Sequence, residues 1–574
     1  MRALFFLPFF LFAQDSLLVQ AESIAKKFSV EVSKAAPPTS TLQTVECLNN
    51  ASVFFTLDLE QIESPAFTTL NSEELWNTLR EIGVEAVHLK NLKKGGATRT
   101  SMSLNPAWGE WNPLAITLGK KGVNLIGDSI GNATGWTADF SLALKNVGDY
   151  PSLYHLVEIE KRDWKMLPPG AANIPWLTLQ DLHKKGYVPE QFAPYVKASS
   201  WNATKPIQCE DGKVRRWIYL KENEADPVID WLNPTFAGCR IASADLLDSI
   251  YNLRQKLTFL NPSIAESAKQ TLTLWIRKLS SFSCQECYGL EEMKKSTADL
   301  ITDTLTRPAL LHALLAEDAE ALRLMYRLFL EEKIDTKRLV HALQPFDSFT
   351  CDWAELAANP WKKFKYYEEI LTGEALRTRL LKEDLLRLSG EKPLTWPAAC
   401  SIVKHKEDLG ELHLLLALFY AMQPGAFSFS LSDLLGALEP QTLNPMKTNS
   451  NTLYASLPSQ MQNQKSFAQN LRKILTIRRE QQIAFGELID VPNTIFPGLL
   501  VLVHKVKDQL QLTAINFSRS PLSQTLDLPA ARYTTAIDLM TGLAEPKPLE
   551  ASTLQLKLPP LSGKILLFQT KYYD

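Results

Sequence analysis

Two periods of apolar residues follow one another along this chain, and their changeovers mark out strands and helices. Val53-Phe54-Phe55-Thr56-Leu57-Asp58 predicts a first strand. Asn71 or Ser72 then caps a helix whose Leu75, Leu79, Ile82 and Val84 recur near helical spacing, and Val84 to Leu89 supplies a second strand. An apolar run from Val123 closes at Asp128 as a strand end does. Strand and helix in alternation are the pattern of a parallel sheet covered by helices. The stretch from Glu291 to Leu343 and the run from Trp361 to Leu388 carry dense leucines at three and four spacing with charges between, which predicts helices. No repeat period emerges. From about Ala484 short strands take over: Leu499 to Val506, Leu510 to Phe517, Thr525 to Leu528, Tyr533 to Asp538, Leu554 to Leu558 and Lys564 to Phe568. Pro, Gly and Ser turns separate them, so an antiparallel β-sandwich-like domain is expected at the C-terminus.

Composition narrows the picture. At 574 residues the chain is too long for one compact core, so more than one domain is expected. The 61 basic and 63 acidic residues leave a net charge of -2, which gives no electrostatic case for nucleic acid or an anionic membrane surface. A neutral ligand fits better.

Three segments carry chemistry. The first is Asp128-Ser129-Ile130-Gly131-Asn132-Ala133, which resembles the Asp-x-x-x-Asn-His motif of glycoside hydrolase family 13, the α-amylase and trehalose synthase family. The second, Asp226-Pro227-Val228-Ile229-Asp230-Trp231-Leu232-Asn233-Pro234, is similar to the stretch that precedes the nucleophile strand in trehalose-synthase-like members. A helix over about Thr235 to Leu253 is expected next. Where the family then has Gly-Phe-Arg-x-Asp-Ala, this chain has Lys256-Leu257-Thr258-Phe259-Leu260-Asn261: Thr258 stands for the arginine and Leu260 for the nucleophilic aspartate. Gly238-Cys239-Arg240-Ile241-Ala242 offers a second register, in which the nucleophile is Ala242. Both registers lose the carboxylate. The third segment, Ser283-Cys284-Gln285-Glu286, resembles the strand bearing the general acid, and Leu343-Gln344-Pro345-Phe346-Asp347 the later His-Asp strand end, with Phe346 for the histidine.

The resemblance implies a (β/α)8 barrel with a lid insertion and a C-terminal antiparallel β-sandwich, acting on α-linked glucosaccharides. It assigns Glu286 as acid/base, Asp347 as a carboxylate holding sugar hydroxyls, Asp128, Asn132 and Trp231 as substrate-binding, and Asn132 also as a structural calcium ligand; no other cofactor is expected. A retaining glycosidase needs two carboxyl groups about 5 to 5.5 Å apart, one attacking the anomeric carbon while the other protonates the leaving oxygen. Leucine does neither. Loss of a covalent nucleophile costs on the order of 10⁶ in turnover, and Thr258, Ala133 and Phe346 remove three further polar anchors. The insertion over about 131–219 is rich in aromatics, Trp136, Tyr150, Tyr154, Trp164, Trp176, Tyr187, Trp201 and Trp217, which either stack on sugar rings or pack the insertion itself.

The expected division is a leader over 1–21, a linker or N-terminal segment over 22–51, an α-amylase-like barrel over 52–435, a connecting helical segment over 436–483 and the β-sandwich over 484–574. Arg2 followed by the apolar stretch Ala3 to Ala13, with Val19-Gln20-Ala21 as cleavage site, predicts export to the periplasm or outside the cell. No other segment reaches about 18 uninterrupted apolar residues, so no stable membrane insertion is expected. The seven cysteines are too few for a disulfide scaffold, and Cys284-Gln285-Glu286-Cys287 has neither a partner pair nor a nearby histidine to complete a zinc site, though an accessory disulfide is allowed. No metal is assigned to it.

Three functions stay open. The leading one is an exported α-amylase-like protein that binds α-glucosides with impaired or lost turnover. A living retaining enzyme with Glu286 and an unrecognised nucleophile such as Asp245, Asp248 or Glu266 is the second. The third is a serine hydrolase, because Gly127-Asp128-Ser129-Ile130-Gly131 matches the nucleophile elbow Gly-x-Ser-x-Gly, which requires a helix directly after the serine.

Overall fold

A computed structural model describes residues 42–93, 104–173, 176–187, 201–223, 226–231, 255–264, 266–278, 281–287, 289–343, 409–527, 533–544 and 553–570. Eight strands close a barrel: β1 Val53–Asp58, β2 Ala86–Lys90, β3 Asn124–Asp128, β4 Gln255–Leu260, β5 Phe282–Cys287, β6 Leu300–Asp303, β7 Leu339–Leu343 and β8 Ala426–Ser430. Strand order around the barrel is the order in the sequence, with β8 returning to β1. Parallel pairing sets Phe54 opposite Ala86, Ala86 opposite Asn124 and Glu286 opposite Thr302. The expected (β/α)8 barrel is therefore present. Its strands are short and buried on both faces, as parallel strands between helices must be; all of Leu339–Leu343 and Ala426–Ser430 is buried.

Local sequence explains the helices between them. Ser72 caps the helix Glu73–Ile82 by accepting the Leu75 N–H, Glu73 and Glu74 sit in its first turn, and Gly83 ends it at φ 119°, a conformation that favours glycine. Leu75, Trp76, Leu79 and Ile82 form its buried stripe; Val84 lies beyond its end. The stretch from Glu291 to Leu343, expected as barrel helices, holds three helices, Leu290–Lys295, Thr306–Ala316 and Glu320–Glu331, and also the two strands β6 and β7, which the leucine spacing did not disclose. Both strands are buried along their whole length, so neither shows the alternation of apolar and polar residues that marks a half-exposed strand. The segment expected as a linker over 22–51 ends in a helix, Thr44–Asn50, which buries Thr44, Cys47 and Leu48. Asp299 holds its start, accepting the Gln43 N–H at 2.9 Å, while the Thr44 hydroxyl donates to the Asp299 carbonyl at 3.0 Å. The expected helices over 235–253 and 361–388 lie outside the described residues.

Two compact units partition the chain. The larger, with 42–90, 108–126 and 284–574, ends in seven strands, β9 Glu487–Asp490, β10 Leu499–Val506, β11 Gln509–Asn516, β12 Leu522–Asp527, β13 Tyr533–Asp538, β14 Thr553–Leu558 and β15 Ser562–Thr570. They form a five-stranded sheet in the order β9-β10-β11-β15-β13 and a β12–β14 pair. Leu499, Val501, Leu512, Ala514, Leu526, Leu556 and Leu566 fill the core of these strands. The smaller unit includes 127–283, where an antiparallel sheet, Leu156–Ile159, Val214–Glu222, Trp201–Ala203 and Ala172–Asn173 in that order, rises between β3 and β4. No helix among the described residues is long and apolar enough to cross a membrane.

Candidate active site

Parallel strands in a closed barrel deliver their last residues to one rim, where barrel enzymes keep their chemistry. Asp128 is the last residue of β3, Leu260 the last of β4 and Glu286 the next to last of β5. Asp128 and Glu286 are half-buried. Asp347 lies outside the described residues, as do Asp245, Asp248 and the alternative register at Gly238–Ala242.

On β5 the alternation of side chains is clear. Gln285 accepts the Ser296 hydroxyl at 2.7 Å on the helix side, whereas Cys284 meets the Thr302 hydroxyl of β6 at 3.8 Å. Alternation puts Glu286 on the face of Cys284, opposite Gln285. Cys284 and Cys287 are three residues apart on this extended strand, so they point to opposite faces with their Cα atoms about 10 Å apart. A bond between them is excluded; both are buried and reduced, and burial pushes the Cys284 thiol well up.

The first two segments singled out in the sequence are stitched together. The Asn132 N–H donates to the Ser263 hydroxyl at 2.9 Å, its carbonyl accepts the Ile229 N–H at 2.8 Å, and Ala133 bridges Val228. Trp231, expected to bind substrate, is only 6% exposed and packs in an apolar cluster with Tyr154, Tyr219 and Ile229, so its ring has no face to offer a sugar. Of the two roles left open for the insertion's aromatics, packing holds for half of the eight named. Tyr150, Tyr154, Trp201 and Trp217 are at most 5% exposed and form the cores of this unit, because a six-stranded sheet needs its own apolar filling. Trp136 is the exception at 46%. Among the described residues no group of three or more His, Cys, Asp or Glu could hold a metal ion.

Leu260 is 2% exposed and belongs to the same apolar cluster, alongside Ile264, Ala268, Leu272 and Ile276, the buried stripe of the helix after β4. Leu257, equally buried, is not part of it. Leu260 therefore lies on the helix-facing side of β4, and alternation turns Phe259 and Asn261 the other way. The sequence had not singled out Asn261. Its carbonyl oxygen accepts the Ser263 N–H at 3.0 Å and the Ser263 hydroxyl at 2.8 Å, and its amide nitrogen stands 3.4 Å from where a Cβ on Gly131 would be. Thus Asn261 lies over the turn that follows Asp128, yet neither it nor Leu260 is a carboxylate. Glu266, offered as an alternative nucleophile, opens the helix Glu266–Lys278, with Lys269 3.6 Å from one oxygen.

Ser129 is no elbow nucleophile. It is 7% exposed, its hydroxyl accepts the Asn261 N–H at 2.9 Å, and its own N–H donates to Phe259, so it ties β3 to β4. The next helix starts only at Ala138.

Sequence reasoning also missed a buried polar network. His341 Nδ1 lies 2.8 Å from Asp303, both at most 1% exposed, and Thr306 donates to the same carboxylate from its N–H at 3.0 Å and its hydroxyl. Burial opposes ionisation of Asp303, but the bonds from His341 and Thr306 outweigh it and hold the carboxyl below its ordinary value. Burial also pushes His504 down to about 3, with His341 adding to the effect. These groups have no exposure to substrate.

No family model matches the sequence, and no curated protein matches it. Solved structures do match in fold. Amy13B of Eubacterium rectale superposes with a TM-score of 0.55 at 12% identity over 94% of this chain and 98% of its own. A debranching enzyme of Nostoc punctiforme, soaked with acarbose, gives 0.53 at 13% over 92% and 100%. A mutant of the trehalulose synthase MutB gives 0.53 at 12% over 90% and 99%. The chain thus has the α-amylase fold.

Proposed function

We propose that this chain, built on the α-amylase fold, is an exported protein that binds α-linked glucosaccharides and has lost, or nearly lost, the power to turn them over. The observation that carries this is the end of β4, Leu257-Thr258-Phe259-Leu260-Asn261, which presents no carboxylate on either face. Glu286 on β5 keeps the place of a general acid, and an acid without a nucleophile leaves a retaining mechanism with half its chemistry. Asp128 and Glu286 remain as polar groups to meet sugar hydroxyls. Acarbose in structures of the same fold supports α-glucosaccharides as the ligand class. Export rests on Arg2 and the apolar stretch Ala3 to Ala13 alone.

Incubation of purified protein with maltose, trehalose and maltooligosaccharides tests turnover, with no glucose or rearranged disaccharide expected. Calorimetric titration with the same sugars tests binding, for which millimolar-range affinity is expected. Steady release of glucose overturns the loss of turnover; flat titrations with every α-glucoside overturn the binding.

A further inference from the structure

Trp136 is the one aromatic of the insertion that is neither core nor half-buried among those whose burial is described, and its surroundings differ from those of an incidental surface residue. Phe140 and Tyr219 hold it from the protein side, with centroids 5.0 and 6.4 Å away and planes at 85° and 87°. Phe140 and Tyr219 pack on each other at 5.0 Å, and both are at most 3% exposed, so the indole stands on a rigid base. Both contacts are edge-on rather than parallel, and nearly half of the Trp136 surface stays exposed. The backbone before it is fixed as well: Gly135 has φ 68°, which favours glycine, and Thr134 donates its N–H to Pro227 at 3.3 Å and shares a 3.0 Å hydrogen bond with the Tyr154 hydroxyl.

A carboxylate lies beside the backbone that leads into the ring. An oxygen of Asp226 stands 3.6 Å from where a Cβ on Gly135 would be, and Asp226 is close enough to the Tyr219 hydroxyl to add to the burial that raises it. Asp226 is half-buried, with a surface left for a ligand. An exposed, immobilised indole beside a half-exposed carboxylate is the pairing a pyranose requires, since the ring's C–H face packs on the aromatic while a hydroxyl donates to the acid. A protein partner of ordinary size needs a far wider apolar patch than one indole.

We propose that Trp136, with Asp226 beside it, is a stacking platform for one glucosyl unit of an α-linked glucosaccharide. The platform rests on the saccharide-binding function proposed above and adds the residue that would supply most of the affinity. It asks nothing of Glu286 or of the end of β4, so it serves a protein that no longer turns over its ligand.

Titration of full-length wild type, Trp136→Ala, Trp136→Phe and Asp226→Asn with maltoheptaose, followed by calorimetry and by indole fluorescence, tests this. Wild type is expected to bind with a quench or blue shift, Trp136→Ala to bind about tenfold more weakly without that signal, and Trp136→Phe to keep most of the affinity. Asp226→Asn is expected to weaken binding severalfold. Far-ultraviolet circular dichroism establishes that each variant is folded. If wild type binds and folded Trp136→Ala binds within about twofold of it, the platform is wrong while the saccharide-binding function stands. If wild type binds no α-glucosaccharide, both fall.

Discussion

Replacing Leu260 by aspartate looks like the repair of a missing nucleophile, and its surroundings say that it is not. Leu260 is 2% exposed in a cluster that includes Phe140, Tyr154, Tyr219, Ile229 and Trp231, with the stripe Ile264, Ala268, Leu272 and Ile276 of the following helix. Removing a buried leucine side chain costs about 2 to 3 kcal/mol. An aspartate there must stay neutral at pH 7, and holding neutral a carboxyl whose ordinary pKa is about 3.9 costs roughly 4 kcal/mol at that pH. Together they reach about 6 kcal/mol, beyond what most single substitutions do and enough to threaten folding. Asn261→Asp is the contrasting case. The Asn261 oxygen already accepts the Ser263 N–H and hydroxyl, bonds that a carboxylate accepts as well, so a change within about 1 kcal/mol is expected. Melting curves of the two variants beside wild type read the stability difference. Mass spectrometry after incubation with a 2-fluoro-glucosyl fluoride reads nucleophilic competence, and any covalent adduct is expected in Asn261→Asp alone. A Leu260→Asp protein as stable as wild type that also forms an adduct would refute the orientation of β4 and restore Leu260 as the nucleophile position.

On the proposed loss of turnover, Glu286→Gln should leave glucose release from α-glucosides unchanged; a large loss would mean that another nucleophile works with Glu286. Ser129→Ala removes the acceptor of the Asn261 N–H, so a loss of about 1 to 2 kcal/mol in denaturant unfolding is expected, with no change in esterase background. His504 is buried, with its pKa down at about 3 against about 6.5 when unfolded, so the unfolded chain binds the extra proton between those values. Its contribution is intact above pH 6.5 and drains away as the pH falls, by about 2 kcal/mol between pH 7 and pH 5. His504→Gln should flatten that part of the pH–stability curve by the same amount, and an unchanged slope in the variant would show that His504 is not the group responsible.

What the sequence disclosed and what it hid divide along a physical line. β1 and two of the C-terminal strands, Leu499–Val506 and Tyr533–Asp538, have the bounds their patterning predicts, because turns and caps frame them on both sides. β6 and β7 escaped, since four or five buried residues between leucine-rich helices carry no period of their own. At the site, the family resemblance pointed to Asp128 and Glu286, which stand at strand ends, and to Leu260 at the nucleophile position, without resolving which face of β4 that residue takes. One residue of register exchanges the barrel face for the helix face, and in a strand buried on both sides the hydrophobic pattern does not distinguish them. The same limit governs the aromatics: composition counted Trp136 and Trp201 as equals, yet one is 46% exposed and the other fills a core. Which of two identical side chains meets ligand is decided by the sheet that forms behind it, and that sheet is assembled from strands separated in the chain by long stretches whose pairing no local pattern encodes. The lack of a carboxylate in Leu257-Thr258-Phe259-Leu260-Asn261 is of another kind: it is a matter of residue identity and holds whichever face of β4 each residue takes.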